Sequence, residues 1–94
     1  MIRLNDVVSA SPSQVSTTLG DESIVLELHA GTYFGVNEVG TAVWEFLQQP
    51  RQVTEVIAHV LQKYEVSAEQ AEAEVIAFLR ELAKRHLVSV SPRS

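Results

Sequence analysis

Three histidines, His29, His59 and His86, are the first residues to test for chemistry, because imidazole can move a proton or hold a metal. They fall on three different predicted elements with no ligand spacing between them, and read as surface or packing residues. The chain has no cysteine, which excludes disulfides, thiolate metal sites and a cysteine nucleophile. Its serines lack the glycine pattern of a nucleophile elbow, and its four glycines never cluster into a phosphate-cradling loop. Glu69, Glu72, Glu74 and Glu81 point in several directions around one predicted helix, as on a solvated surface. The expectation is a protein that is not an enzyme and carries no metal or cofactor.

What remains is a surface that binds another chain. With 94 residues and 46% hydrophobic content, the sequence supports one domain with a modest core. A net charge of −5 speaks against nucleic acid as a partner, since phosphate neutralisation needs a basic face. No apolar run suits a signal peptide or a membrane span, so the reading is a cytoplasmic monomer without membrane contact.

The elements follow from periodicity. Residues 1–14, with Ser9, Ser11, Pro12 and Ser13, read as a partly ordered arm in which Leu4, Val7 and Val8 can add a short strand. Val15, Thr17 and Leu19 alternate with polar neighbours before a turn at Gly20-Asp21. Ile24, Leu26 and Leu28 alternate next, and a third strand covers Thr32–Val36. A three-residue loop, His29-Ala30-Gly31, pairs Leu28 with Thr32, Leu26 with Phe34 and Ile24 with Val36. That register puts all these aliphatic positions on one inward face, with Gly31 where a left-handed residue is needed.

Asn37 caps the first helix, whose apolar stripe is Val39, Ala42, Val43, Phe46 and Leu47, with Trp44 beside it. A second helix over Val53–Tyr64 turns Val53, Ile57, Val60, Leu61 and Tyr64 inward. Ser67-Ala-Glu-Gln70 is a capping box for a third helix to Arg85, with Ala71, Val75, Phe78, Leu79 and Leu82 as its core stripe. Leu87–Val90 can form a last strand. The fold class is α+β, a three-stranded antiparallel sheet followed by three helices, in the general layout of a winged helix-turn-helix.

In a simple meander the third strand lies at an edge. Its residues, Thr32, Tyr33, Phe34, Gly35 and Val36, include no Pro or charge to blunt it, and Gly35 lets another backbone come close. An extended peptide adding to this edge is one reading. Coverage by the arm or by Leu87–Val90 is the other. On the third helix, Ile76 and Ala83 flank the stripe next to Leu79. Facing the strand's edge, that flank would form the apolar wall of a groove; otherwise Ile76 simply widens the core stripe.

Gly31-Thr-Tyr-Phe-Gly-Val-Asn37 followed by Gly40-Thr-Ala-Val-Trp-Glu-Phe-Leu47 resembles the central motif of the PqqD-like family. Val53-Thr-Glu-Val-Ile57, Tyr64-Glu-Val-Ser67, Phe78-Leu79, Leu82 and Leu87-Val88 extend the resemblance over about residues 15 to 90. It implies a recognition element for the leader of a ribosomally made precursor peptide, with residues 15–90 as the domain and 91–94 as a tail. The discrete leader-binding proteins of lasso-peptide biosynthesis are the most similar in layout. The partners so implied are the precursor leader, a separate cysteine protease that removes it, and a macrolactam cyclase. The implied binding residues are Thr32 to Val36 by strand addition and, on the third helix, Ile76, Leu79, Arg80 and Ala83. Many members carry Gly just after the third helix, where this chain has His86. Two further readings stand beside this one: a chaperone of the pyrroloquinoline quinone precursor, and a winged-helix transcriptional regulator. Against the regulator, the second helix offers only Lys63 as a basic residue.

Overall fold

The computed structural model describes residues 2–29 and 31–92. Its elements are β1 (Val7–Ala10), β2 (Gln14–Leu19), β3 (Glu22–Glu27), β4 (Tyr33–Val36), α1 (Glu38–Phe46), β5 (Arg51–Gln52), α2 (Val53–Lys63), α3 (Ala68–Lys84) and β6 (Val88–Ser91). The expected three-stranded antiparallel sheet is β2-β3-β4, and three helices follow it in an α+β arrangement. A second antiparallel sheet, β5-β1-β6, gathers the N-terminal arm, the short link before α2 and the last strand. The arm is thus part of the packing: Val8 is fully buried, and the Asp6 carbonyl accepts the Val53 N–H at 3.0 Å.

Local chemistry accounts for the helix ends. Asn37 Oδ1 accepts the Gly40 N–H at 2.9 Å and starts α1, and Gln52 with Glu55 forms a capping box on α2. Ser67 Oγ accepts the Gln70 N–H at 3.1 Å, while the Gln70 side chain reaches Glu74. At the far end of α3, His86 sits in the left-handed region at φ 60°. The Leu87 N–H reaches the Leu82 carbonyl at 2.9 Å, and the His86 N–H reaches the Ala83 carbonyl at 3.1 Å. These are the paired bonds of a Schellman cap, here without glycine.

The core joins Val43 and Trp44 of α1 and Leu47 at its C-terminal cap to Val53, Val56 and Val60 of α2 and to Ala71, Val75, Leu79 and Leu82 of α3. Val8, Val25, Val36 and Val88 close it from the strands. Three expectations of facing change here. Trp44 is buried inside rather than beside the stripe, while Phe46 is only partly buried and stacks on His59. On α2 Val56 turns inward with Val53 and Val60, while Ile57 is half-buried and Leu61 is exposed.

The third change reverses β3. The ladder pairs Val25 with Phe34 and Ser23 with Val36, and closes where the Glu27 N–H meets the Thr32 carbonyl at 2.8 Å. The turn is one residue longer than expected, and its Ala30 lies outside the described residues. Since side chains alternate, that single step carries Val25, Ser23 and Glu27 inward and leaves Ile24 and Leu28 exposed. Two polar contacts stabilise the inward face. Ser23 and Thr41 share a buried hydroxyl–hydroxyl hydrogen bond of 2.9 Å, and Glu27 Oε1 accepts the His29 N–H at 3.0 Å. Gly31 keeps its left-handed place at φ 70°.

Candidate functional site

β4 is an edge strand: β3 pairs with one side of it, and the arm and β6 are engaged in the other sheet. Among the described residues nothing pairs with its second side. The Thr32 carbonyl points to β3, so by alternation the N–H and C=O groups of Tyr33 and Gly35 point to the free edge. A Cβ built on Gly35 would have nothing within 4 Å, so the strand is open to a close-approaching backbone.

Beneath this edge, Phe34 faces α3. Its ring stacks on Phe78 with centroids 6.2 Å apart, and the Arg85 guanidinium lies 4.7 Å from the Phe34 centroid. Arg85 also pairs with Glu81 at 3.5 Å. The flank of α3 nearest β4 therefore carries Phe78, Glu81 and Arg85. Next to Phe78 lies a hollow of about 320 Å³ between α1, α2 and α3, bordered by Asn37, Gly40, Val60, Glu74 and Phe78. A hydrogen-bonding edge, an aromatic floor and an apolar hollow thus lie side by side. That arrangement suits an extended peptide with an apolar anchor.

Gly40 makes the junction possible. A Cβ there would stand 2.5 Å from Val36 Cγ1 and 3.2 Å from Phe78 Cζ, so β4, α1 and α3 converge on a position without a side chain. Asn37 begins the helix one residue after the strand, which fixes the edge to the core.

Thr32 to Val36 lie together at the edge, with Tyr33 73% exposed and Val36 buried. The residues expected on α3 are placed differently from one another. Leu79 is fully buried, Ile76 and Ala83 are half-buried, and Arg80 is exposed. Ile76 stands about 160° around the helix from Phe78, on the flank away from Phe34. The contacts that define the groove come instead from Phe78 and Arg85, spaced at i and i+7. Phe78 reads as a member of the core stripe, and Arg85, with Glu74 and Glu81, as the flank of the helix opposite Ile76 and Ala83, the flank that sequence reasoning left out of the groove.

Among the described residues no group of three or more His, Cys, Asp or Glu side chains could hold a metal, and no helix is long and apolar enough to cross a membrane.

Residues 22–88 match the family described as coenzyme PQQ synthesis protein D (PqqD). Among solved structures, the fold is similar to that of TbiB1 in complex with the TbiA(beta) leader peptide. The TM-score is 0.79 with 32% sequence identity, covering 86% of this chain and 94% of that one. It is also similar to a lasso peptide synthetase B1 complexed with its leader peptide, with TM-score 0.75, 17% identity, and 87% and 96% of the two chains covered. The second likeness is one of fold. No curated protein sequence matches the chain significantly.

Proposed function

The chain belongs to the PqqD family, and from that premise we propose that it binds the leader segment of a ribosomally made precursor peptide. The leader adds as a strand to β4 and holds the precursor for a separate leader-cleaving cysteine protease in lasso-peptide biosynthesis, ahead of a macrolactam cyclase. The observation that carries this reading is the free β4 edge directly above the Phe34–Phe78 floor. Backbone groups of Tyr33 and Gly35 would supply the hydrogen bonds, and alternate side chains of the leader would enter the groove. The helix wall that this geometry supports is Phe78 with Arg85; Ile76, Arg80 and Ala83 stand further round α3, and Leu79 supports the wall from within the core. The protein itself makes and breaks no bonds in this role. Similarity to TbiB1, solved with a leader peptide, supports leader binding, while the family description keeps a precursor of pyrroloquinoline quinone as the second reading.

The test is a titration of the protein with a fluorescently labelled leader of the precursor encoded beside it. Saturable binding at or below tens of micromolar is expected, and a flat titration would sink the proposal. Gly35→Pro should abolish binding while the circular dichroism spectrum stays native. The substitution removes an edge donor that the β3 ladder does not use. A folded Gly35→Pro variant with native affinity would show that the leader binds elsewhere.

A further inference from the structure

The groove takes the inward side chains of a strand added to β4, while every second side chain points the other way. Gly35 ends the cross-strand row Thr17–Ile24–Gly35, on the outer side of the β2-β3-β4 sheet. Its missing side chain leaves a gap between the free edge and Ile24, since a Cβ there would meet nothing within 4 Å. A hollow of about 360 Å³ opens at this gap, with Leu19, Glu22, Ile24, Gly35 and Asn37 among its walls. Leu19 and Ile24 are exposed and give it an apolar floor. Glu22, paired across the ladder with Leu19, is its one charged residue. Among the described residues no cation pairs with Glu22.

We propose that this hollow is a second subsite for the bound leader, and that it selects a lysine or arginine at the leader position opposite Gly35. The inference rests on the leader-binding reading and specifies one residue of that peptide. Register supplies the first argument. In an antiparallel addition, the residue opposite Gly35 exchanges both backbone hydrogen bonds with it and shares its outward side. Its side chain therefore leaves the leader directly over the gap. Reach supplies the second. Glu22 stands one strand beyond β4 and two residues along β3 from Ile24, so its Cα lies about 12 Å from that leader residue at ordinary strand spacings. Only a long side chain meets a carboxylate over that distance. Chemistry supplies the third. The methylene stem of lysine or arginine would lie on Ile24 and Leu19 while its charged head reaches Glu22, the division of surface that such side chains favour. A shorter apolar side chain would cover the floor and leave Glu22 without a partner. The neighbouring Asp21 and the chain's net charge of −5 add to the attraction for a cation.

The probe is the synthetic, labelled leader of the precursor encoded beside this chain, with a set of copies in which each Lys or Arg in turn becomes Met. Glu22→Gln removes the charge, keeps the side chain's size and lies at an exposed position, so the fold should be retained. It should weaken the native leader about fivefold at low salt, and the loss should shrink at about 0.5 M salt. One leader copy should show the same loss, and joining it with Glu22→Gln should add little more, the mark of a direct pair. Gly35→Val keeps the edge N–H and C=O but fills the gap, so on that background Glu22→Gln should change leader affinity by less than about twofold. Native affinity in the Glu22→Gln variant would overturn the subsite and leave the leader-binding reading intact, Glu22 then being an ordinary solvated charge at a hairpin end. Losses that add at every basic position of the leader would also overturn it, because they report attraction at long range without a pair. So would saturable binding of a leader that has no Lys or Arg. If the native protein failed to bind leader at all, the leader-binding reading would fall and this inference with it.

Discussion

His86 occupies a backbone conformation that glycine adopts at no steric cost, at φ 60° in the Schellman cap of α3. Its two cap bonds are made by backbone N–H groups, so the side chain is not needed for them. His86→Gly should therefore stabilise the protein by on the order of 0.5–1 kcal/mol, the relieved strain exceeding the greater freedom of glycine in the unfolded chain. Thermal melting should show the midpoint rise by a few degrees. His59 offers a test by pH. Burial against Phe46, with Lys63 and Arg51 nearby, lowers its pKa from 6.5. The folded state thus binds its proton less readily than the unfolded chain. Its contribution to stability is complete above pH 6.5 and declines as pH falls from there through the lowered pKa. His59→Gln should flatten the part of the stability profile that falls below pH 6.5, read as the difference between the two proteins' melting curves.

At the scale of elements, the link between β4 and α1 decides whether the edge is rigid. Gly40 lies in the helix, where alanine is ordinarily better by about 1 kcal/mol. Here the added Cβ would meet Val36 Cγ1 at 2.5 Å and Phe78 Cζ at 3.2 Å. Overpacking of this kind costs about 1–3 kcal/mol, which outweighs the propensity gain. Gly40→Ala should accordingly lower the melting temperature by several degrees. Leader affinity should fall with it, since Val36 and Phe78 border the proposed groove. A rise in stability would mean that Val36 moves aside freely. The same closeness explains why the edge is preformed: Val36 is buried under Gly40, while one residue earlier Gly35 stands in open space.

For the whole molecule, the second sheet ties the chain's beginning to its end. β1 is the central strand between β5 and β6, pairing at Val7–Ala10 with Val88–Ser91, and Val8 is buried in the common core. Removing residues 1–10 should strip this sheet of its middle strand and abolish cooperative unfolding. A sharp native-like melt of the truncated chain would show that the family-matched stretch 22–88 stands without it. Much of this architecture was legible in the residues. Asn37 and Ser67 announced their caps, Gly20 a turn and Gly31 the positive φ of another, and Ala71, Val75, Leu79 and Leu82 the buried stripe of α3. These are local effects, in which a residue's own backbone preference or a 3.6-residue period leaves one outcome. The order of β2, β3, β4 and the three helices, and the unblunted composition of β4, followed in the same way, whereas the two-residue β5 and the second sheet it joins left no local signal. Only tertiary structure decided which side of each element meets which neighbour. Alternation named the two faces of β3 but could not choose between them, because a turn one residue longer exchanges them at little local cost. The choice came from Phe34 and Val36 packing inward on α3 and α1, with Ser23 bonded to Thr41. The same packing turned Phe78 and Arg85, rather than Ile76 and Ala83, toward the edge, and left the most aliphatic row of β3 facing outward.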